Sequence, residues 1–354
     1  MDPIYYYDIY LLIVSISSIL AFNGTFWENS ISTNRLFLII LTISFVLFIG
    51  FRPISYVFAD TGEYDLFYRM ILGDPFVFTL ATDNFIFDNV FHYLASIRLD
   101  VRFFFVLIAF LYFVNIAVAS KQLFPRFDLH CFLVYLAAFS TFSYGTNGLK
   151  AGVAASLFLV AIAYKKNRLI SFLFLIMSLG FHHSMVLPIV AFCLVTFLKK
   201  TKIYLLGWLC CLLISAAHIS FFQTFFADFT DEQGAGYLLS DGSDWGGQTG
   251  FRFDFVIYSA MPVIMGYWVI IKQKIESDMY QFLLNLYLVT NSVWMLCMYA
   301  NFTNRIAYLS WFLYPFVLIY PLLNLDIIPD QYKLLKKVVF AHLGFTLFMH
   351  FIYY

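Results

Sequence analysis

The sequence predicts an all-α, polytopic membrane protein, and three observations carry that reading. Apolar stretches of helix length recur from one end of the 354 residues to the other. Hydrophobic residues make up 62% and charged ones 12%, where a soluble domain is nearer a quarter charged. No polar stretch of domain size interrupts the pattern, so residues 1–354 read as a single integral membrane domain. The formal net charge of +0 leaves no electrostatic footprint for nucleic acid.

Taken in order, the apolar segments fall at about 5–22, 35–51, 103–120, 129–144, 148–164, 203–221, 254–271, 279–299, 304–323 and 337–353. The opening, MDPIYYYDIY, has no Lys or Arg before its apolar run and does not read as a cleavable signal peptide. Residues 169–198 remain, and as one helix they would be about 45 Å long against a hydrocarbon core of about 30 Å. Gly180 and Pro188 argue against one unbroken helix, so a short helical hairpin is expected there. Lys165, Lys166 and Arg168 precede that run, and Lys199, Lys200 and Lys202 follow it. The positive-inside bias puts both clusters in the cytoplasm and the midpoint, His182–His183, at the far face. That makes twelve segments with both termini outside. Two long loops, at about 52–102 and 222–253, then face outward. The first is aromatic and charged, as short interfacial helices are; the second is acidic and Gly-rich. The five cysteines lie in apolar runs without a C-x-x-C and read as small core residues.

This topology leaves Arg52, Arg69, Arg98, Arg102, Lys150, Arg252 and Arg305 outside, against the general bias. Arg52 ends the second segment, while Lys150, Arg252 and Arg305 stand where later helices begin. Free N–H donors and the positive dipole end make such N-termini favourable for anions, so the four are expected to form an anion pocket. The competing reading is that cations near helix ends snorkel to the interface. Acidic residues on the same face are Asp60, Glu63, Asp65 and Asp254, the last two residues from Arg252 and placed for a local salt bridge. There is no D-x-D, His182 and His183 are adjacent rather than i, i+4, and no G-x-S-x-G is present, so no metal or other cofactor is expected.

Five ordered stretches, FRPISYVFADTGEY (51–64), NGLKAGVAASLFLVAIAY (147–164), GFHHSMVLP (180–188), GFRFDFVIYSAMP (250–262) and NRIAYLSWFLYP (304–315), resemble the EpsG-like branch of bacterial polysaccharide polymerases, the Wzy or O-antigen polymerases. The resemblance implies a GT-C-like glycosyltransferase in the bacterial inner membrane with its active site at the external face. Such an enzyme moves a growing glycan from undecaprenyl pyrophosphate, with inversion, onto a sugar hydroxyl of a lipid-linked repeat unit. Partners would be that lipid-linked glycan, membrane lipid and a chain-length regulator. Arg52, Asp60, Tyr64, His182, Arg252 and Arg305 carry over onto family positions, whereas Lys150 stands where the family usually has Arg. Fixed cations suit the charge of a pyrophosphate leaving group. The acceptor hydroxyl needs a base, for which His182 is the first candidate and Asp60 the rival. Tyr64 and Asp254 complete the candidate substrate contacts. A transporter or flippase of lipid-linked oligosaccharide is the alternative, and would call for cations deep within helices and repeat symmetry. A membrane acyltransferase using His182 is a third reading.

Overall fold

The structure, a computed structural model, describes residues 1–23, 30–219, 221–227, 236, 250–301 and 303–353. Most of the acidic loop expected at 222–253 thus lies outside the described residues, as does the Glu28 end of the first connection. The regular elements among the described residues are all helical. They divide into two compact units: Met1–Val186 with Leu322–Asn324 and Asp330–Tyr354, and Leu187–Pro321 with Leu325–Pro329.

The first unit holds α1 (Tyr6–Phe22), α2 (Ile31–Gly50), α3 (Thr61–Met70), α4 (Phe85–Ser96), α5 (Val101–Leu123), α6 (Asp128–Leu136), α7 (Thr141–Thr146), α8 (Leu149–Ala163), α9 (Arg168–Phe181) and α17 (Gln331–Phe348). The second holds α11 (Thr201–Ala216), α12 (Phe221–Ala227), α13 (Phe253–Gly266), α14 (Asp278–Leu296) and α15 (Thr303–Trp311), while α10 (Val186–Phe197) and α16 (Tyr314–Asn324) cross a unit boundary.

The twelve expected segments do not become twelve long apolar helices. Six spans among the described residues are long and apolar enough to cross a bilayer: Pro3–Phe22, Ile31–Gly50, Val101–Leu123, Phe253–Lys272, Thr303–Asn324 and Gln331–Tyr353. Four more, Leu149–Ala163, Arg168–Phe181, His183–Phe197 and Thr201–Ala216, are apolar but shorter. The stretch expected at 129–144 breaks in two, because α6 ends at Leu136 and α7 begins at Thr141. The Thr141 hydroxyl donates to the Tyr135 carbonyl (2.6 Å), which also accepts the Ala138 backbone N–H (3.1 Å) where the helix ends. All nine residues of α6 are buried, so this apolar run is protein core and does not face lipid. Hydropathy alone does not separate those two environments.

The stretch at 169–198 does divide, at His182, whose backbone is extended (φ −155, ψ 122) between α9 and a 3₁₀ turn at His183–Met185. Helix α9 is inside-out by soluble standards. Leu169, Phe172, Leu173 and Ile176, spaced i, i+3, i+4, i+7, are exposed. The buried face instead carries Ser171 and Ser178, whose hydroxyls donate to the α8 carbonyls of Ala161 (2.9 Å) and Ala154 (2.7 Å). Small residues along AGVAAS let α8 accept such close neighbours, a membrane style of packing. Gly152 is required where α8 passes α7, since a Cβ would stand 2.5 Å from the Tyr144 carbonyl oxygen.

The second unit is held by a buried polar network around Asn291. Its Oδ1 accepts from Trp208 Nε1 (2.8 Å), and its Nδ2 donates to the hydroxyls of Ser259 (3.2 Å) and Ser310 (3.0 Å). Trp311 Nε1 also donates to the Ser259 hydroxyl (2.8 Å). One amide therefore joins α11, α13, α14 and α15. Asn291→Ala is expected to lower unfolding free energy in detergent by about 1–3 kcal/mol, because it strands the indole N–H of Trp208 in the core. Ser310→Ala, which removes the bonds to Asn291 and to the Ala307 carbonyl but leaves Asn291 bonded to Ser259 and Trp208, should cost less. Thermal unfolding followed by tryptophan fluorescence checks the order.

Candidate functional site

The first group of candidates is built around Arg52. Helix α2 stops just before Arg52–Pro53, where the residue preceding a proline is pushed out of the helical region. The guanidinium turns inward and is 1% exposed. It donates to the Ile49 carbonyl (2.9 Å), the Thr146 carbonyl (3.1 Å) and the Thr61 hydroxyl (3.0 and 3.3 Å), and lies 4.6 Å from the Phe105 ring centroid. Burial pushes its pKa down to about 10, opposed in part by Tyr6, which leaves it charged at neutral pH. Arg52 thus ties the end of α2 to the start of α3 and the end of α7; its position is that of a strut within the fold.

That strut fixes Asp60. The preceding residue, Ala59, has φ 45 and ψ −102, a region that costs a non-glycine residue about 1–3 kcal/mol. Asp60 opens α3, is half-buried, and donates its backbone N–H to Asn147 Oδ1 (3.3 Å). Tyr64, one turn later, packs against Phe87, Phe91 and Phe104 at centroid distances of 5.7, 6.2 and 6.4 Å.

Lys150 stands in the first turn of α8, as the sequence suggests, but it is not a bare cation. Its Nζ lies 3.1 Å from Asp88 Oδ1 and 4.8 Å from the Phe87 ring centroid, both on α4. Tyr64, Asp88 and Lys150 line a pocket of about 320 Å³.

His182 reaches the same region through α4. The backbone N–H of His183 donates to Asn84 Oδ1 (3.1 Å), and Asn84 immediately precedes α4, one turn before Asp88. Gly180 lets α9 come this close, since a Cβ there would stand 2.6 Å from Ile86 Cδ1. The two imidazoles stack at 5.2 Å. His182 Nδ1 accepts from the Ser184 backbone N–H (3.1 Å). An accepting Nδ1 puts the proton of the neutral ring on Nε2, so this conformation offers a donor at Nε2 and no basic lone pair there. Arg52, Asp60, Tyr64, Lys150 and His182 therefore gather at one end of the first unit.

Arg252, Asp254 and Arg305 belong to the second unit. Arg252 makes a two-pronged pair with Asp254 (Nε–Oδ1 3.0 Å, Nη2–Oδ2 2.6 Å), both side chains 11% exposed, and lies 3.8 Å from the Phe255 ring centroid. This is the local salt bridge that the spacing allows. The Arg252 backbone N–H donates to Met298 Sδ (3.2 Å), while Thr303 Oγ1 accepts from Trp294 Nε1 (3.0 Å). Both bonds anchor helix starts, of α13 and α15, at the C-terminal end of α14. Arg305, in the first turn of α15, is exposed at that same end.

Asp88, Asn84 and Asn147 are not singled out by the sequence reading. The spacing that reveals Asp88 is helical: Phe87 with Phe91, and Asp88 with His92, stand i, i+4 within FDNVFHY, in one of the short helices expected in the 52–102 loop. Asp65 is taken by Arg69 (2.9 Å), Glu63 is exposed, and no cluster of three His, Cys, Asp or Glu suited to a metal occurs among the described residues.

An all-helical, multi-pass membrane protein with its chemically capable side chains at helix ends is the class these features define. The profile of the EpsG family matches residues 35–354, and the chain belongs to that family of polysaccharide-polymerase-like membrane proteins. No curated protein and no solved structure matches it.

The contrast between the two second-unit arginines is testable. Arg252→Lys keeps the charge but loses one prong to Asp254 and the planar contact with Phe255, so it should lower stability by about 1–3 kcal/mol. Arg305→Lys, at an exposed position, should lower the thermal midpoint less than Arg252→Lys. Unfolding of both purified variants in the same detergent is the measurement.

Proposed function

We propose that the chain is a polysaccharide polymerase of the bacterial inner membrane. It transfers a growing glycan from undecaprenyl pyrophosphate to a sugar hydroxyl of a lipid-linked repeat unit, with inversion, at the external face. One observation carries the reading. In a chain of the EpsG family, a half-buried carboxylate, an ammonium–carboxylate pair and a histidine N–H donor meet at one end of the first unit, beside a pocket. In this reading the acceptor hydroxyl attacks the anomeric carbon as its proton passes to a base, and the bond to the pyrophosphate oxygen breaks. The tautomer of His182 favours Asp60 as that base and gives His182 the role of hydrogen-bond donor to the reacting groups. In the second unit, Arg305, exposed at the start of α15, is proposed as a separate contact for an anionic group, while Arg252 is already matched by Asp254. The frame is a multi-pass, all-helical, GT-C-like membrane domain whose external face carries His182. A chain-length regulator is a proposed partner.

Purified protein with lipid-linked repeat units tests the reaction, since a polymerase lengthens the glycan whereas a flippase only relocates it. Asp60→Asn should lower turnover about 10²-fold or more. His182→Gln, which keeps an N–H near the position of Nε2, should retain more activity than His182→Ala; equal loss in both would restore His182 as the base. Elongation should survive EDTA. Activity abolished by chelation and restored by Mg²⁺ or Mn²⁺ would overturn metal-independent transfer.

The topology has its own test. In a background lacking the native cysteines, Ser184→Cys should react with an impermeant thiol reagent on whole cells, and Lys200→Cys should not. The reverse pattern would put His182 on the cytoplasmic side and remove the proposed site from the external face.

A further inference from the structure

We propose that the pocket in the first unit is a subsite for a neutral pyranose ring with two adjacent free hydroxyls; naming it as a sugar of the lipid-linked acceptor rests on the polymerase reading. The pocket is lined by Tyr64, Phe67, Phe87, Asp88, His92 and Lys150, among others, and holds about 320 Å³. That is the lower end of the range for small-molecule sites, about 300–1,000 Å³, and suits one or two sugar rings.

The polar partners select the ligand. Asp88 and Lys150 share one contact of 3.1 Å. An ammonium has three donors and a carboxylate about four acceptor positions, so each keeps capacity for a further bond. Neighbouring ring hydroxyls match that pair, one donating to Asp88 and the next accepting from Lys150. A phosphate does not match, because Asp88 already balances the ammonium and repels a second anion. A polyprenyl chain does not match either, since it would seal an ion pair under hydrocarbon at a large desolvation cost.

The apolar partners divide their work. Phe87 is buried and has Lys150 near its face, so it holds the ammonium in place. Tyr64 is half-buried and Phe67 exposed, and both come from α3, which leaves ring surface to meet the C–H face of a sugar. Asp60 stands one turn before Tyr64, a rise of about 6 Å.

Saturation-transfer NMR on the full-length protein in nanodiscs tests the subsite without relying on turnover. The probes are methyl β-glucoside, methyl β-galactoside, methyl β-glucuronide and inorganic pyrophosphate. Transfer to at least one neutral glycoside is expected, weakened about tenfold or more in Asp88→Asn and in Tyr64→Ala. The glucuronide should give less, and pyrophosphate should not compete. Absence of transfer to both neutral glycosides, equal transfer in the folded Asp88→Asn variant, or displacement by pyrophosphate would overturn the assignment. In elongation assays Asp88→Asn should raise the acceptor KM about tenfold and leave kcat within a few-fold. Sugar binding without elongation would leave the subsite standing and remove the polymerase reading; elongation without sugar binding would do the opposite.

Discussion

A single buried charge governs one whole end of the first unit. Taking a guanidinium out of water costs several kcal/mol unless its donors and its ring face are all matched. Arg52 meets that demand with two carbonyls, one threonine hydroxyl and an aromatic ring, drawn from α2, α3, α5 and the end of α7. None of these groups can move independently while the charge stays buried. The constraint sets where α3 begins, and so where Asp60 and Tyr64 stand. It also fixes the α7–α8 turn, which carries Asn147 to Asp60 and Lys150 to α4. The strained backbone at Ala59 persists because it sits between two points that Arg52 and Asn147 hold.

Much of this was legible in the residues. Apolar runs gave the helices, and the break near Gly180 follows from its packing against α4 and from the extended residue after α9. The cations at helix starts were also visible, and helices do begin beside Lys150, Arg252 and Arg305. What they bond to was not. Lys150 reads as a phosphate contact until α4 delivers Asp88, 62 residues earlier in the chain, to its side. Arg52 reads as an exposed helix end until the fold buries it. Such contacts depend on how distant segments meet, which no local period encodes.

The run at 129–144 shows the opposite limit. Its composition is indistinguishable from that of a crossing helix, yet α6 lies wholly inside the first unit. A buried core and a lipid tail are alike to a hydropathy scale. The discriminating detail is local: Ser140 and Thr141 offer side-chain hydroxyls that compete with the helical hydrogen-bond pattern, and one donates to the carbonyl of Tyr135. The histidine tautomer is similarly beyond sequence, since it rests on one backbone N–H two residues away.

Helix α9 has 14 residues and a length of about 21 Å, with an outward apolar stripe and Lys165, Lys166 and Arg168 at its start. An average hydrocarbon layer is about 30 Å thick, and mismatch of this size is relieved most cheaply when the lipid around the helix thins. The surface plane of the membrane then dips toward the end of α9 that carries His182. For the proposed polymerase, acyl-chain length and packing thereby become variables in their own right, setting how deep an amphiphile must sink before its headgroup is level with His182.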